Sequence, residues 1–152
     1  MPEAALLERI RPAADPVLRP VEKRLLLHLA HGVPRKEIHE TVGLTVRTAE
    51  GFLATLYSKL GVGFATHAVI AGHQYGLLPR EVFSTPELDG EESDLLQLIG
   101  AGLMNREIAA KYDMPMWVVA ARVSALYGAM DVLNRPNCAH VAWCTGLLGA
   151  DS

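Results

Sequence analysis

Residues 31–40 read HGVPRKEIHE, and residues 101–110 read AGLMNREIAA. Both strings run through a glycine, two variable positions, a polar residue, a base, a glutamate and an isoleucine in the same order. The register extends outward without a gap. Leu18 falls on Leu88, Leu25-Leu26 on Leu95-Leu96, Gly32 on Gly102 and Glu37-Ile38 on Glu107-Ile108. Further on, Leu56-Tyr57 falls on Leu126-Tyr127, Val62 on Val132 and Gly76-Leu77-Leu78 on Gly146-Leu147-Leu148. Matches held in one register over so long a stretch indicate a duplication. Two copies are too few for a solenoid, so the pattern predicts a tandem of two small domains.

Each copy reads as four short helices, an all-α fold. In the first, Leu25, Leu26 and Leu29 form an apolar stripe on a helix from about Val21 to His31, which Gly32 ends. Pro34 falls in the first turn of a second helix running to about Thr41. The turn VGLT leads to Thr45 as N-cap of a third helix, about Val46 to Leu60, with Ala49, Phe52, Leu53, Leu56 and Leu60 on its buried face. A fourth helix spans about Ala65 to Tyr75. The third helix of the second copy is expected to start near Pro115. The domain plan is therefore an N-terminal helix or arm at 1–17, a first domain at 18–78, a linker at 79–87 and a second domain at 88–152. In the arm, Pro2 to Ile10 are expected to form a short helix that Pro12 and Pro16 separate from the repeat.

The 152 residues are 50% hydrophobic and 20% charged, enough apolar material for packed cores. No apolar run reaches the roughly 18 residues that span a bilayer, and the Met-Pro-Glu start lacks the features of a secretory signal. A cytoplasmic protein with no membrane segment is expected. Cys138 and Cys144 lie six apart, which fits neither a metal knuckle nor a redox pair, so two buried thiols are expected. The net charge of −3 hides an asymmetry. Leu18–Leu78 holds seven basic and four acidic residues, a net +3, whereas Thr85–Leu148 holds four and eight, a net −4. The first copy is suited to approach phosphate; the second would be repelled.

A short helix and a longer one joined by a glycine-containing turn form a helix-turn-helix, whose second member fits the major groove of about 12 Å. The stretch LRPVEKRLLLHLAHGVPRKEIHETVGLTVRTAEGFLATLYSKLGV, followed by AVIAGHQYGLL, resembles the LuxR-type (GerE-like) helix-turn-helix domain of bacterial transcription regulators. The motifs are the L-x-P-x-E opening, the G-x-x-x-K-E-I segment and the R-T…L…K-L-G-V run closed by G-L-L. The second copy matches more loosely through GLMNREIAAKYDM. The resemblance implies that the third helix enters the major groove and that the fourth supports dimerisation. This chain departs from the family's T-V-K-x-H pattern. Glu50 and Phe52 stand where a lysine and a histidine are usual, and Gly51 weakens the helix by roughly 1 kcal/mol relative to alanine.

The polar positions off the buried stripe are the expected DNA contacts: Arg35, Lys36, Arg47, Thr48, Thr55, Ser58 and Lys59. In the second copy, Trp117 replaces Arg47, Val118 replaces Thr48, Ala120 replaces Glu50 and Ala129 replaces Lys59. Only Arg122, at the place of Phe52, adds a base. Met116, Trp117, Val118 and Ala121 are therefore expected to contact protein: the first copy, another copy of the chain, or a separate partner. The competing expectation is that this helix has rotated or sunk into a shared core. Histidines 28, 31, 39, 67 and 73 crowd the first copy without an acidic or cysteine partner to complete a tetrahedral metal set, and are expected to be ordinary surface or helix-end residues. No nucleophile–base arrangement, phosphate-cradling loop or cofactor motif occurs, so neither enzyme activity nor a cofactor is expected, and no small-molecule sensor domain is evident.

Two functions follow. The first is a DNA-binding transcription regulator that reads double-stranded DNA mainly with the first domain and uses the second for dimer or partner contacts. The other is an adaptor or antagonist that uses the same scaffold only for protein contacts with another regulator or RNA polymerase. An unbroken positive strip around Arg35, Lys36, Arg47 and Lys59 would favour DNA, and interruption by Glu40 and Glu50 would favour the adaptor.

Overall fold

The structure, a computed structural model, describes residues 15–149. The expected helix at Pro2–Ile10 lies outside that range. Among the described residues the chain is all-helical, with eight helices and no strands. In chain order these are α1 (Pro20–Ala30), α2 (Ile38–Thr41), α3 (Val46–Leu60), α4 (Ala65–Gln74), α5 (Gly90–Gly100), α6 (Asn105–Tyr112), α7 (Met116–Met130) and α8 (Arg135–Cys144). The starts and ends of α1, α3 and α4 recur 70 positions later in α5, α7 and α8. No single helix among the described residues is long and apolar enough to cross a membrane.

Local chemistry fixes the ends. Pro20 opens α1, and the Arg19 N–H donates to Glu22 Oε1 at 2.7 Å. Thr45 caps α3, its Oγ1 accepting from the Thr48 N–H at 3.2 Å. Gly43 and Gly61 close α2 and α3 with positive φ, and the second copy forces Asp113 and Asp131 into the same left-handed region. The second helix of the first copy is shorter than expected. Pro34 does not lie within it; residues 35–37 form a tight turn in which Glu37 and Ile38 donate to Pro34 and Arg35 three residues back. In the second copy Met104 replaces that proline, and α6 forms from Asn105 onward.

Each copy has its own core. One gathers Leu25, Leu26, Leu29, Ile38, Leu53, Leu56 and Leu60; the other gathers Leu96, Ile99, Ile108, Val119, Val123 and Leu126. Trp143 packs against both. The copies meet chiefly through their fourth helices, α4 along α8, with α1 also touching α8 and α4 touching α5. The contacts are reciprocal. Asn137, near the start of α8, donates to the Ala30 carbonyl at 2.9 Å, and its Cβ lies close above Gly32. Its counterpart His67, near the start of α4, lays its ring against Gly102. Gly32 and Gly102 both have positive φ, +87° and +95°; a Cβ would clash with the His67 ring at Gly102 and press tightly on Leu133 and Asn137 at Gly32. The duplicated glycine therefore ends a helix and admits the other copy's fourth helix.

Candidate functional site

Because α1, α2 and α4 pack on one side of α3, its opposite side faces outward. Arg35 and Lys36 are exposed in the turn before α2, and Arg47, Thr48 and Ser58 are exposed along α3. Thr55 is half-buried and returns its hydroxyl to the Gly51 carbonyl at 3.1 Å. Lys59 bends inward, donating to Glu22 Oε1 at 2.7 Å and to the Val17 carbonyl at 3.1 Å. Arg35, Lys36 and Arg47 are thus the cations this face offers to solvent, while Lys59 serves the fold. Glu40 and Glu50 are also exposed, close to these cations in sequence.

The Lys59 contact explains how a carboxylate can sit on the buried stripe of α1, on the same face as Leu25, Leu26 and Leu29. Glu22 has 0% exposure. Burial raises its pKa, but hydrogen bonds from the Arg19 and Lys59 side chains and the Arg19 backbone outweigh that and hold it at about 2. The carboxylate ties the first turn of α1 to the last turn of α3. Above it, the Arg19 guanidinium lies 4.7 Å from the centroid of the half-buried Phe52 ring.

The corresponding helix α7 has a different surface. Met116 is 52% and Trp117 73% exposed, Ala121 is exposed and Val118 half-buried. Its neighbours α5, α6 and α8 all belong to the second copy. The first copy therefore does not cover Trp117, and the helix has not sunk into a shared core. A second change follows from the loss of Phe52's counterpart. Arg122 turns out toward Glu91 at 3.3 Å, and a cleft of about 370 Å³ opens between α5, α6 and α7, floored by Leu95, Ile108 and Val119. In the first copy Phe52 packs against the core at the corresponding position.

The histidines bring the largest correction. Acidic and cysteine partners do come together around two of them, His31 and His73, by way of the linker and the second copy. Glu81 Oε2 lies 2.7 Å from His31 Nε2 and 2.6 Å from the fully buried His140 Nε2. The other nitrogen of His140, Nδ1, lies 2.8 Å from His73 Nε2 and 3.8 Å from Cys144 Sγ. Trp143 stacks on His73 and Phe83 meets His140 edge-on. Burial lowers the His140 and His73 pKa values, the latter to about 4, so both rings are neutral near pH 7. Of the expected pair of buried thiols, Cys138 fits, pushed up to about 12 by burial, but Cys144 is only half-buried. His140 and Cys144 are four apart, a one-face helical spacing legible in the sequence. Their meeting with His73 and Glu81 depends on how α4 lies along α8.

Compared with known family profiles, curated proteins and solved structures, the chain matches none.

Proposed function

We propose that the chain is a DNA-binding transcription regulator that contacts the duplex with its first copy and a protein with its second. One observation carries the reading: the copies pair through α4 and α8, which leaves the outer faces of α3 and α7 open with opposite chemistries. The α3 face presents Arg47 and Thr48 with Arg35 and Lys36 nearby in sequence, groups suited to phosphates and base edges. The α7 face presents Met116 and Trp117, which favour a protein surface over a phosphate backbone. With about three free cations, the logarithm of affinity should fall against the logarithm of salt with a slope of roughly −3.

The adaptor reading retains one specific support: Lys59 is committed to Glu22, and Glu40 and Glu50 stand exposed, close to the remaining cations in sequence. Selection of bound duplexes from a random pool, followed by titration at about 50 mM salt, separates the two. An enriched sequence with the stated salt slope supports the regulator. Absence of binding at that salt overturns it and leaves the adaptor.

A further inference from the structure

We propose that His73, His140 and Cys144 bind a zinc ion at the junction of the two copies. Their donor atoms, together a thiol and two imidazole nitrogens, lie within 4.8 Å of one another. A tetrahedral zinc with bonds of about 2.0–2.1 Å to nitrogen and 2.3 Å to sulfur sets its donors roughly 3.3–3.6 Å apart. Two of the three separations, 2.8 Å between the nitrogens and 3.8 Å from Cys144 Sγ to His140 Nδ1, lie on either side of that range, and the third is within 4.8 Å. The two nitrogens would separate by about half an ångström, and the Cys144 side chain would close on them, to bring the donors onto it.

The surroundings of His140 point to Nδ1. Its Nε2–H donates to Glu81 at 2.6 Å, so in the neutral ring Nδ1 carries the lone pair, and that atom meets His73; Cys144 Sγ lies beside the ring, 3.8 Å from Nδ1 and 4.0 Å from Nε2. A histidine held by a carboxylate through its other ring nitrogen is the usual outer support of a zinc ligand. Glu81 is itself steadied by His31 at 2.7 Å. A second grouping, His31, Glu81 and His140, is also compact. It would use the nitrogen and the carboxylate that already satisfy each other, and it lacks the thiolate that borderline-soft zinc prefers. Glu81 and His31 are therefore the supporting shell.

The proton balance closes. His73 Nε2 donates to His140 Nδ1 without the ion; on binding, the His73 ring moves its proton to Nδ1 and Nε2 becomes a ligand. The Cys144 thiol releases one proton to solvent, and water takes the fourth position. His73 belongs to the first copy, while His140 and Cys144 belong to the second. The ion would therefore clip α4 to α8, the contact that orients the copies.

The test uses the full chain, stripped with a chelator and titrated with cobalt(II) and then zinc. The expected result is one equivalent of cobalt with tetrahedral visible bands and a thiolate-to-cobalt charge-transfer band, displaced by zinc, and a rise in Tm with zinc. Cys144→Ser should remove the charge-transfer band, and His73→Gln should weaken zinc binding tenfold or more. Glu81→Gln should keep the band while weakening affinity by about tenfold or more. No stoichiometric uptake by the wild-type chain overturns the site. So does a cobalt complex without the thiolate band, or zinc affinity unchanged in both C144S and H73Q. Because the wild-type titration decides by itself, a variant that failed to fold would not protect the proposal.

Discussion

Lys59 Nζ lies 2.7 Å from Glu22 Oε1, and the Glu22 side chain is fully buried. The pair links the last turn of α3 to the first turn of α1, and Arg19 completes it at 2.8 Å. Removing one partner leaves a buried charge short of a donor. That usually costs about 3–5 kcal/mol, reduced here to about 2 because Lys59 and Arg19 are partly exposed. Lys59→Met should lower stability by that amount in urea unfolding at pH 7. The folded-state pKa of Glu22, about 2, lies below its ordinary 4.5. Its contribution is present above the unfolded value and is lost as pH falls through about 4.5 toward 2. Glu22→Gln should therefore destabilise the chain at pH 7 and flatten the decline below pH 5. An unchanged acid limb would show that other carboxylates govern it.

His67 rests against Gly102, and Asn137 against Gly32, so the two duplicated glycines hold the copies together. Gly102→Ala would drive a methyl into the His67 ring and also strain a backbone at φ +95°. A loss of about 3 kcal/mol is expected from overpacking and left-handed strain together. Gly76 provides the comparison, with φ +69° and nothing within 4 Å of the place a Cβ would take. Gly76→Ala should cost only about 1 kcal/mol. Equal losses in thermal unfolding would show that backbone strain, and not the close approach of His67, sets the cost.

Arg122 leaves the cleft between α5, α6 and α7 that Phe52's counterpart would otherwise fill. Arg122→Phe should place a ring over Leu95, Ile108 and Val119 and raise stability by about 1 kcal/mol, as cavity filling commonly does. The converse change, Phe52→Arg, removes a ring from the first core and should cost a few kcal/mol. A lower Tm for Arg122→Phe would mean that the cleft walls cannot accept the ring without strain.

The helices are legible in the sequence because their signals are local. Thr45, Gly43, Gly61 and the leucine spacing fix α3 to the residue, and the gapless register carries the same plan to the second copy. Pro34 misleads because proline fits both a first helical turn and the tight turn that precedes a short helix. The role of Lys59 is hidden because Glu22, its partner, lies 37 positions away, and an exposed and an inward-bent lysine have the same periodicity. The histidine cluster is hidden for a stronger reason. His31, His73, Glu81, His140 and Cys144 come from both copies and the linker, and no spacing in the chain states that α4 runs along α8.

The opposite chemistries of α3 and α7 predict separable defects. Arg47 is exposed on the first copy, so Arg47→Ala should weaken DNA binding severalfold at any sequence and reduce the salt slope by about 1, as loss of one phosphate contact does. Trp117 is 73% exposed on α7, whose packing neighbours all belong to the second copy, so under the proposed reading Trp117→Lys should leave DNA affinity and salt slope unchanged. Its effect should fall on association, lowering the mass seen in sedimentation or the affinity for a protein partner. Trp117→Lys should also leave Tm nearly unaltered, because an exposed side chain contributes little to packing. A fall in DNA affinity equal to that of Arg47→Ala would mean that both third helices face the same ligand, and the division of labour between the copies would have to be abandoned.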